Sequence, residues 1–270
     1  MPELPEVESV LQCLTRNTPS LIGRRVRSVR ILRNSVVDGD ECSLVKTLTG
    51  TVCSAVMRHG KYLFFLFQDS HSAKQSWLAL HLRMTGRLFL VPEHLSEDRH
   101  TRFVLLLDQG LALRFDDPRA FGRVWLVGNP CEVTVKLGPD ALLIQREMFL
   151  ERLSGLRRQL KPLLLDQSFV AGLGNIYADE TLFRARLHPL KLSSDLKTEE
   201  ANRLYDALHS VITQAVRAKG ANIDGVFEAG SFPVAVYGRG GKPCLECGTL
   251  VVKERLGQRG THFCPVCQPL

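Results

Sequence analysis

Residues 244–267 read CLECGTLVVKERLGQRGTHFCPVC, two Cys-x2-Cys pairs with sixteen residues between them. That spacing fits a four-cysteine zinc site on a β-hairpin. Each short loop brings two thiolates to one ion, and the intervening residues supply two strands and a turn. Gly248 and Pro265 suit the tight knuckles. An iron–sulfur cluster is the alternative centre for such a set. Four thiolates complete a tetrahedron and leave no open position, so the zinc expected on Cys244, Cys247, Cys264 and Cys267 is structural and not catalytic. The hairpin itself is basic: Lys253, Arg255 and Arg259 stand against Glu254 alone, with Gln258 to Thr261 at or just after the turn. A cationic turn on a rigid staple suits a phosphate backbone, the plainer reading being an ordinary solvated hairpin.

Ahead of this module the periodicity is helical. Candidate helices cover 145–154, 157–165, 174–185 and 198–219. In the last, Leu204, Leu208, Val211, Ile212, Ala215 and Val216 form one apolar stripe, with Thr198 as cap and Gly220 past the end. Further back, from Arg24 to Val127, seven or eight short β-like runs such as KYLFFLF and RVWLV alternate with turn signals such as Asp38-Gly39 and Asp117-Pro118. Residues 3–17 read as a helix, with Val7, Val10, Leu11 and Leu14 on one face and Glu3, Glu6 and Glu8 in the first turns, where the dipole favours anions. The expected architecture is α+β: a helix leading an antiparallel sandwich or barrel over 1–130, a helical domain over 131–225, and a loop with the cysteine module over 226–270.

The composition narrows the class. With 44% hydrophobic and 23% charged residues there is enough apolar material for packed cores, which excludes wholesale disorder. No apolar run approaches a membrane span, and the acidic start MPELPEVESV lacks the apolar core of a signal peptide. A cytosolic monomer is the expectation. In that compartment Cys13, Cys42, Cys53 and Cys131 are expected to be buried reduced thiols. The net charge of +7, from 35 Lys+Arg against 28 Asp+Glu, only hints at an anionic partner.

Pro2 is the residue with chemistry to offer. Removal of the initiator Met would expose a secondary amine, a good nucleophile toward an electrophilic sugar carbon. Chain-terminal amines ordinarily titrate at about 7.7–8.0, which leaves an appreciable neutral fraction at pH 7. Glu3 could exchange the protons that ring opening and elimination require. Alone, a proline at the start is a helix N1 residue and nothing more.

It does not stand alone. MPELPEVE (1–8), MTGRL (84–88), DPRAFGR (117–123), GLGNIYADE (172–180) and QRGTHFCPVCQ (258–268) run the length of the chain. Together they closely resemble the formamidopyrimidine-DNA glycosylase family. The resemblance implies an N-terminal β-sandwich led by a helix, a helix-two-turn-helix domain and a zinc finger. It also implies one structural zinc and no organic cofactor. The implied partner is double-stranded DNA bearing oxidised bases or abasic sites, in a bacterial-type, nucleoid-associated setting. The implied chemistry is excision of oxidised purines by attack of Pro2 on C1′, then β- and δ-elimination through a Schiff base.

Residue by residue, the same resemblance makes Glu3 the general acid/base. Glu6 and Glu180 become site carboxylates, with helix-terminal capping as the alternative for both. Lys61, His81, Asn175 and Arg259 become the groups that pin phosphates. Met84, Arg119 and Phe121 become the residues that fill the space left by a flipped base; without the surrounding motifs, Met84 and Phe121 would read as core and Arg119 as a surface ion pair.

The chain also departs from the pattern. Ala120 stands where a second Arg is common, Arg83 where Gly is usual, and Gly260 where Ser is usual. The segment Gly220–Tyr237, GANIDGVFEAGSFPVAVY, is shorter than the family's lesion loop and differs in composition. Ring-opened formamidopyrimidines are therefore expected as better substrates than 8-oxoguanine. Alternatives are an endonuclease VIII-like glycosylase for oxidised pyrimidines and a catalytically silent zinc-ribbon DNA-binding protein.

Overall fold

Helix α1 (Leu4–Arg16) begins with a reciprocal capping box between Glu3 and Glu6, and the Glu6 Oε2 accepts the Glu3 N–H at 2.8 Å. A proline in its first turn forfeits an N–H that has no helical partner anyway. Leu4, Val7, Val10 and Leu14 are its buried face, packed on the strands that follow. The structure, a computed structural model, describes residues 2–69, 74–223 and 230–270.

Strands β1 (Val26–Ile31), β2 (Val52–His59), β3 (Tyr62–Gln68), β4 (Gln75–His81), β5 (Arg87–Pro92), β6 (Thr101–Leu107), β7 (Leu111–Asp116) and β8 (Arg123–Val127) form two four-stranded antiparallel sheets, ordered β1-β6-β7-β5 and β2-β3-β4-β8. Their facing sides bury Leu63, Phe65, Phe67, Leu78, Leu80, Phe103, Leu105, Leu113 and Phe115 in one core. Phe64 and Ala79 point the other way, into a second cluster with Tyr62, Trp77 and Trp125. This two-sided burial explains why β3 reads as an unbroken apolar run and not as an alternation. The sandwich expected from the sequence is present. The β-like stretch also hides a helix, α2 (Glu41–Leu48), whose N-cap Asp40 accepts from the N–H groups of Cys42 and Ser43. Only Leu44 and Leu48 of α2 are buried, too few to show a period in the sequence. A single turn, α3 (Cys131–Thr134), follows β8.

The remaining elements are α4 (Arg146–Leu153), α5 (Leu160–Leu165), α6 (Asn175–Ala185), α7 (Thr198–Arg217) and the hairpin β9 (Val252–Leu256) with β10 (Arg259–Phe263). Lys197, not Thr198, is the cap of α7, because the Glu200 carboxylate reaches back to the Lys197 N–H at 3.0 Å. Helix α6 packs on α7 and on β10. Phe183, Val236, Val251 and Cys264 share a small core, and the buried Gln268 bridges the Cys264 N–H to the Leu187 carbonyl. Among the described residues two compact units result, one over 2–135 and one over 136–222 with 230–270.

Candidate active site and nucleic-acid contacts

Pro2 is buried at the entrance to α1, and Glu3 and Glu6 expose only 1% and 2% of their surface. Of the two readings left open for Glu6, capping is realised, since its carboxylate holds the backbone next to Pro2. Lys61 lies in the two-residue connection Gly60-Lys61 between paired His59 and Tyr62, with Gly60 at φ 55°. A glycine in first position is what such a hairpin turn requires. The tip is tied to α1 by Arg58. Its Nε donates to Glu8 Oε2 at 2.7 Å, and its Nη1 donates to the Gly60 carbonyl at 3.0 Å. Both members of this ion pair are nearly buried, so the pair fixes geometry more than it adds stability.

His81 ends β4 directly opposite Tyr62, edge-on to its ring at 4.6 Å. Its Nδ1 accepts the Arg83 N–H at 2.9 Å, which leaves the proton on Nε2 and makes that atom a donor. Burial first, then the charges of Arg83 and Lys61, push the His81 pKa down to about 3. A neutral N–H donor beside cations suits a phosphate oxygen at any physiological pH.

Met84 and Phe121 are 36% and 46% exposed, and Arg119, close to Phe121 in sequence, is exposed too. Core and ion-pair readings do not hold here: among the described residues Arg119 forms no ion pair, and its guanidinium lies 4.4 Å from the centroid of the Phe121 ring. The buried Asp117 organises both loops that carry these residues. It accepts the Thr85 hydroxyl from one loop, and the N–H groups of Arg119 at 3.2 Å and Gly122 at 2.7 Å in its own. A Cβ at Gly86 or Gly122 would collide with the ring of Phe115, so both loops pack closely against that one side chain. Arg123 donates to the carbonyls of Ala120, Phe121 and Gly122 and closes the clamp.

In the second unit Asn175 opens α6, and its Nδ2 donates to the Gly260 carbonyl at 2.8 Å. The buried Lys161 donates to the same carbonyl at 2.9 Å and to Asp179 Oδ1 at 2.6 Å, while Asp179 Oδ2 accepts the His262 N–H at 3.0 Å. This network docks β10 on α6. Arg259, exposed at the start of β10, follows the Gly257-Gln258 turn, with Gly257 at φ 60°. Glu180 is neither a helix cap nor free: it accepts the N–H groups of Ala235, Val236 and Tyr237 at 2.8–2.9 Å. Burial pushes its carboxyl pKa up, and those three N–H groups oppose the rise.

Glu180 therefore anchors the chain that leaves the 220–237 segment. The base of that segment is pinched. Ser231 N–H donates to the Ala218 carbonyl and Phe232 N–H to that of Gly220, both at 2.9 Å, while Phe232 packs edge-on to Tyr177. A Cβ on Gly230 would meet the Gly220 carbonyl at 2.9 Å. The rest of the short-loop expectation, residues 224–229, lies outside the described residues.

The Sγ atoms of Cys244, Cys247, Cys264 and Cys267 lie within 4.8 Å of one another, with 3.9 Å between Cys244 and Cys267 and 3.4 Å between Cys247 and Cys264. Tetrahedral zinc at about 2.3 Å from each sulfur would separate them by roughly 3.8 Å, so the set fits. The other cysteines correct an expectation: Cys53 is buried, with its thiol pKa raised to about 12 by burial, but Cys13, Cys42 and Cys131 are exposed. Cys13 and Cys42 lie outside the buried faces of α1 and α2, and the single turn α3 that carries Cys131 buries no residue.

Comparison with known proteins matches this arrangement along its length. The formamidopyrimidine-DNA glycosylase N-terminal domain matches residues 1–124, the H2TH domain of the same enzyme 137–225, and the zinc finger found in FPG and IleRS 241–270. The formamidopyrimidine-DNA glycosylase of Pelotomaculum thermopropionicum is 39% identical over 281 residues, covering 99% of both chains. That of Heliobacterium modesticaldum is 40% identical, covering 99% of this chain and 100% of its own.

The chain belongs to the formamidopyrimidine-DNA glycosylase family.

Solved structures of that family agree. MutM in complex with DNA containing carbocyclic 8-oxo-G superposes with a TM-score of 0.90 at 32% identity over 100% of both chains. Lactococcus lactis Fpg with DNA containing N7-benzyl-Fapy-dG gives the same values. The protein is thus a DNA glycosylase with abasic-site lyase activity, a base-excision repair enzyme for oxidised purines that carries a structural zinc finger. Among the described residues no helix is long and apolar enough to cross a membrane. No signal in the sequence assigns a site role to Arg58 or Lys161, nor to Glu8, Asp117 or His262 although these three lie inside the family motifs, yet each holds a candidate site residue in place.

Proposed function

We propose that this glycosylase works through the nitrogen of Pro2, on nucleoid DNA in a bacterial cytoplasm. With Met1 removed, the neutral secondary amine attacks C1′ of the damaged nucleotide. The C1′–N bond to the base breaks and the base leaves with a proton. Glu3 moves the proton that lets the sugar ring open to an iminium at C1′. Loss of a C2′ proton then expels the 3′ phosphate, and a second elimination expels the 5′ phosphate. The covalent route replaces one difficult cleavage with several easier steps and needs no cofactor. Lys61, His81, Asn175 and Arg259 hold phosphates around the lesion, while Met84, Arg119 and Phe121 fill the gap left by the extruded base. Glu6 and Glu180 serve by positioning, one at the start of α1 and the other at the base of the 220–237 segment. The observation that carries this reading is the burial of Glu3 and Glu6, joined by a reciprocal capping box, in the turn that directly follows Pro2.

The pinched base of the 220–237 segment, with few residues between its ends, supports a preference for ring-opened formamidopyrimidines over 8-oxoguanine. Borohydride trapping on duplexes bearing a formamidopyrimidine, 8-oxoguanine, thymine glycol or an abasic site tests both statements. A covalent adduct with the abasic duplex is expected, lost in Pro2→Gly while DNA binding persists. Glu3→Gln should slow turnover by roughly 10²–10⁴-fold. No adduct on any substrate would sink the Pro2 mechanism, and equal single-turnover rates on the two purine lesions would sink the preference.

A further inference from the structure

Five non-glycine residues among those described have left-handed φ: Arg83, Gln109, Ala120, Arg186 and Lys219. Four have local reasons. Arg186 and Lys219 close helices α6 and α7 with backbone hydrogen bonds, Gln109 in the β6–β7 turn accepts a hydrogen bond from Arg24, and Ala120 sits in the loop clamped by Asp117 and Arg123. Arg83, at φ 55°, is different. Its backbone N–H serves His81, but glycine would make that bond without the steric cost of a Cβ in this region. Its exposed guanidinium has no hydrogen bond or ion pair among the described residues, so no polar contact of the side chain there offsets the strain.

Such an outlier persists where the side chain is used. The surroundings say for what. Arg83 lies two residues after the Nε2–H donor His81 and immediately before the exposed Met84, and its charge reaches the imidazole. Lys61 acts on the same ring from the β2–β3 tip. A guanidinium fork added to an imidazole Nε2–H and an ammonium makes a cluster of donors with no carboxylate among its members, which is the chemistry of a phosphate site.

We propose that Arg83 is a DNA-binding residue, gripping a backbone phosphate next to the one taken by His81 on the face that bears Met84. This rests on the reading of that face as the DNA surface. Arg83 contributes affinity at the expense of backbone strain.

The test uses Arg83→Gly, Arg83→Lys and Met84→Ala in the full-length protein. Each is titrated with an abasic-analogue duplex across a range of salt and melted without DNA. Arg83→Gly should bind about tenfold more weakly at low salt and lower the salt slope by about one unit, with a melting temperature at or above that of the parent. Arg83→Lys should restore the slope, because the charge returns. Arg83→Gly with unchanged affinity and slope, while Met84→Ala still weakens binding, would overturn the assignment of Arg83 alone. If neither variant altered binding, the reading of the face as a DNA surface would fall with it. A lowered melting temperature with unchanged binding would make Arg83 a structural residue and also overturn the proposal.

Discussion

The β2–β3 hairpin turns through Gly60-Lys61 and the β9–β10 hairpin through Gly257-Gln258, each with glycine first at positive φ, and each carries a cation to its tip, Lys61 or Arg259. Their roots differ. Behind Lys61 stands a four-stranded sheet packed on a core of Leu, Phe and Val side chains, with Arg58–Glu8 fastening the tip to α1. Behind Arg259 there are two strands only, and a lone hairpin is marginal in water. Its rigidity comes from four cysteines at one end and the Lys161–Asp179–His262 network along one strand. The same delivery of charge can therefore rest on many weak contacts or on a few strong ones. The first arrangement degrades gradually when perturbed, and the second fails all at once.

Removing the metal is the most severe test of this contrast. Structural zinc contributes on the order of 10 kcal/mol to such modules. Chelation should abolish amide-exchange protection over 241–270 and abolish DNA binding, while protection of β2 and β3 persists. If both hairpins lost protection together, the contrast would be wrong. Next come the two buried cations. Arg58→Met strands Glu8, and Lys161→Met strands Asp179, each expected to cost about 3–5 kcal/mol in urea unfolding. Lys161→Met should also speed zinc loss, and Arg58→Met should not. The double replacement Arg58→Met with Glu8→Leu should recover most of the loss, because no charge is left alone in the interior.

A smaller effect separates the two tips by pH. Unfolded histidine takes up a proton near 6.5, whereas folded His81 does so only near 3. The unfolded chain therefore binds more protons in that interval, and stability held above pH 6.5 is lost progressively as the pH falls toward 3. His81→Gln should flatten this slope in the N-terminal unit and leave the zinc hairpin unaffected. Smallest is Arg259→Ala: no change in melting temperature, and a salt slope of DNA binding lower by about one unit.

What could be read in advance follows the same division. The zinc ligands were legible because Cys-x2-Cys is a local pattern whose geometry is set within four residues. The sandwich was legible because turn signals punctuate short apolar runs, although α2 escaped, having only two buried positions to mark its period. The partners that hold the site were not legible. Glu8 and Arg58 are fifty residues apart, and Asp179 and His262 are separated by eighty-three. Neither distance leaves a local trace, and a buried Lys161 looks in sequence like any solvated lysine. Glu180 was visible as a carboxylate, but that it would accept three backbone N–H groups from 235–237 could not be inferred from spacing.

The pinched base at Ala218–Gly220 and Ser231–Phe232 bears on how such an enzyme changes over generations. Because the two ends are held together by bonds that do not involve the residues between them, length there is entropically cheap: doubling a closed loop costs only about 0.6 kcal/mol. Insertions and deletions at this point can therefore be sampled without unfolding α7 or the zinc hairpin. In engineering terms the segment is a cassette. Longer versions could be grafted between Ala221 and Gly230, and substrate choice altered there while the proline chemistry is left untouched.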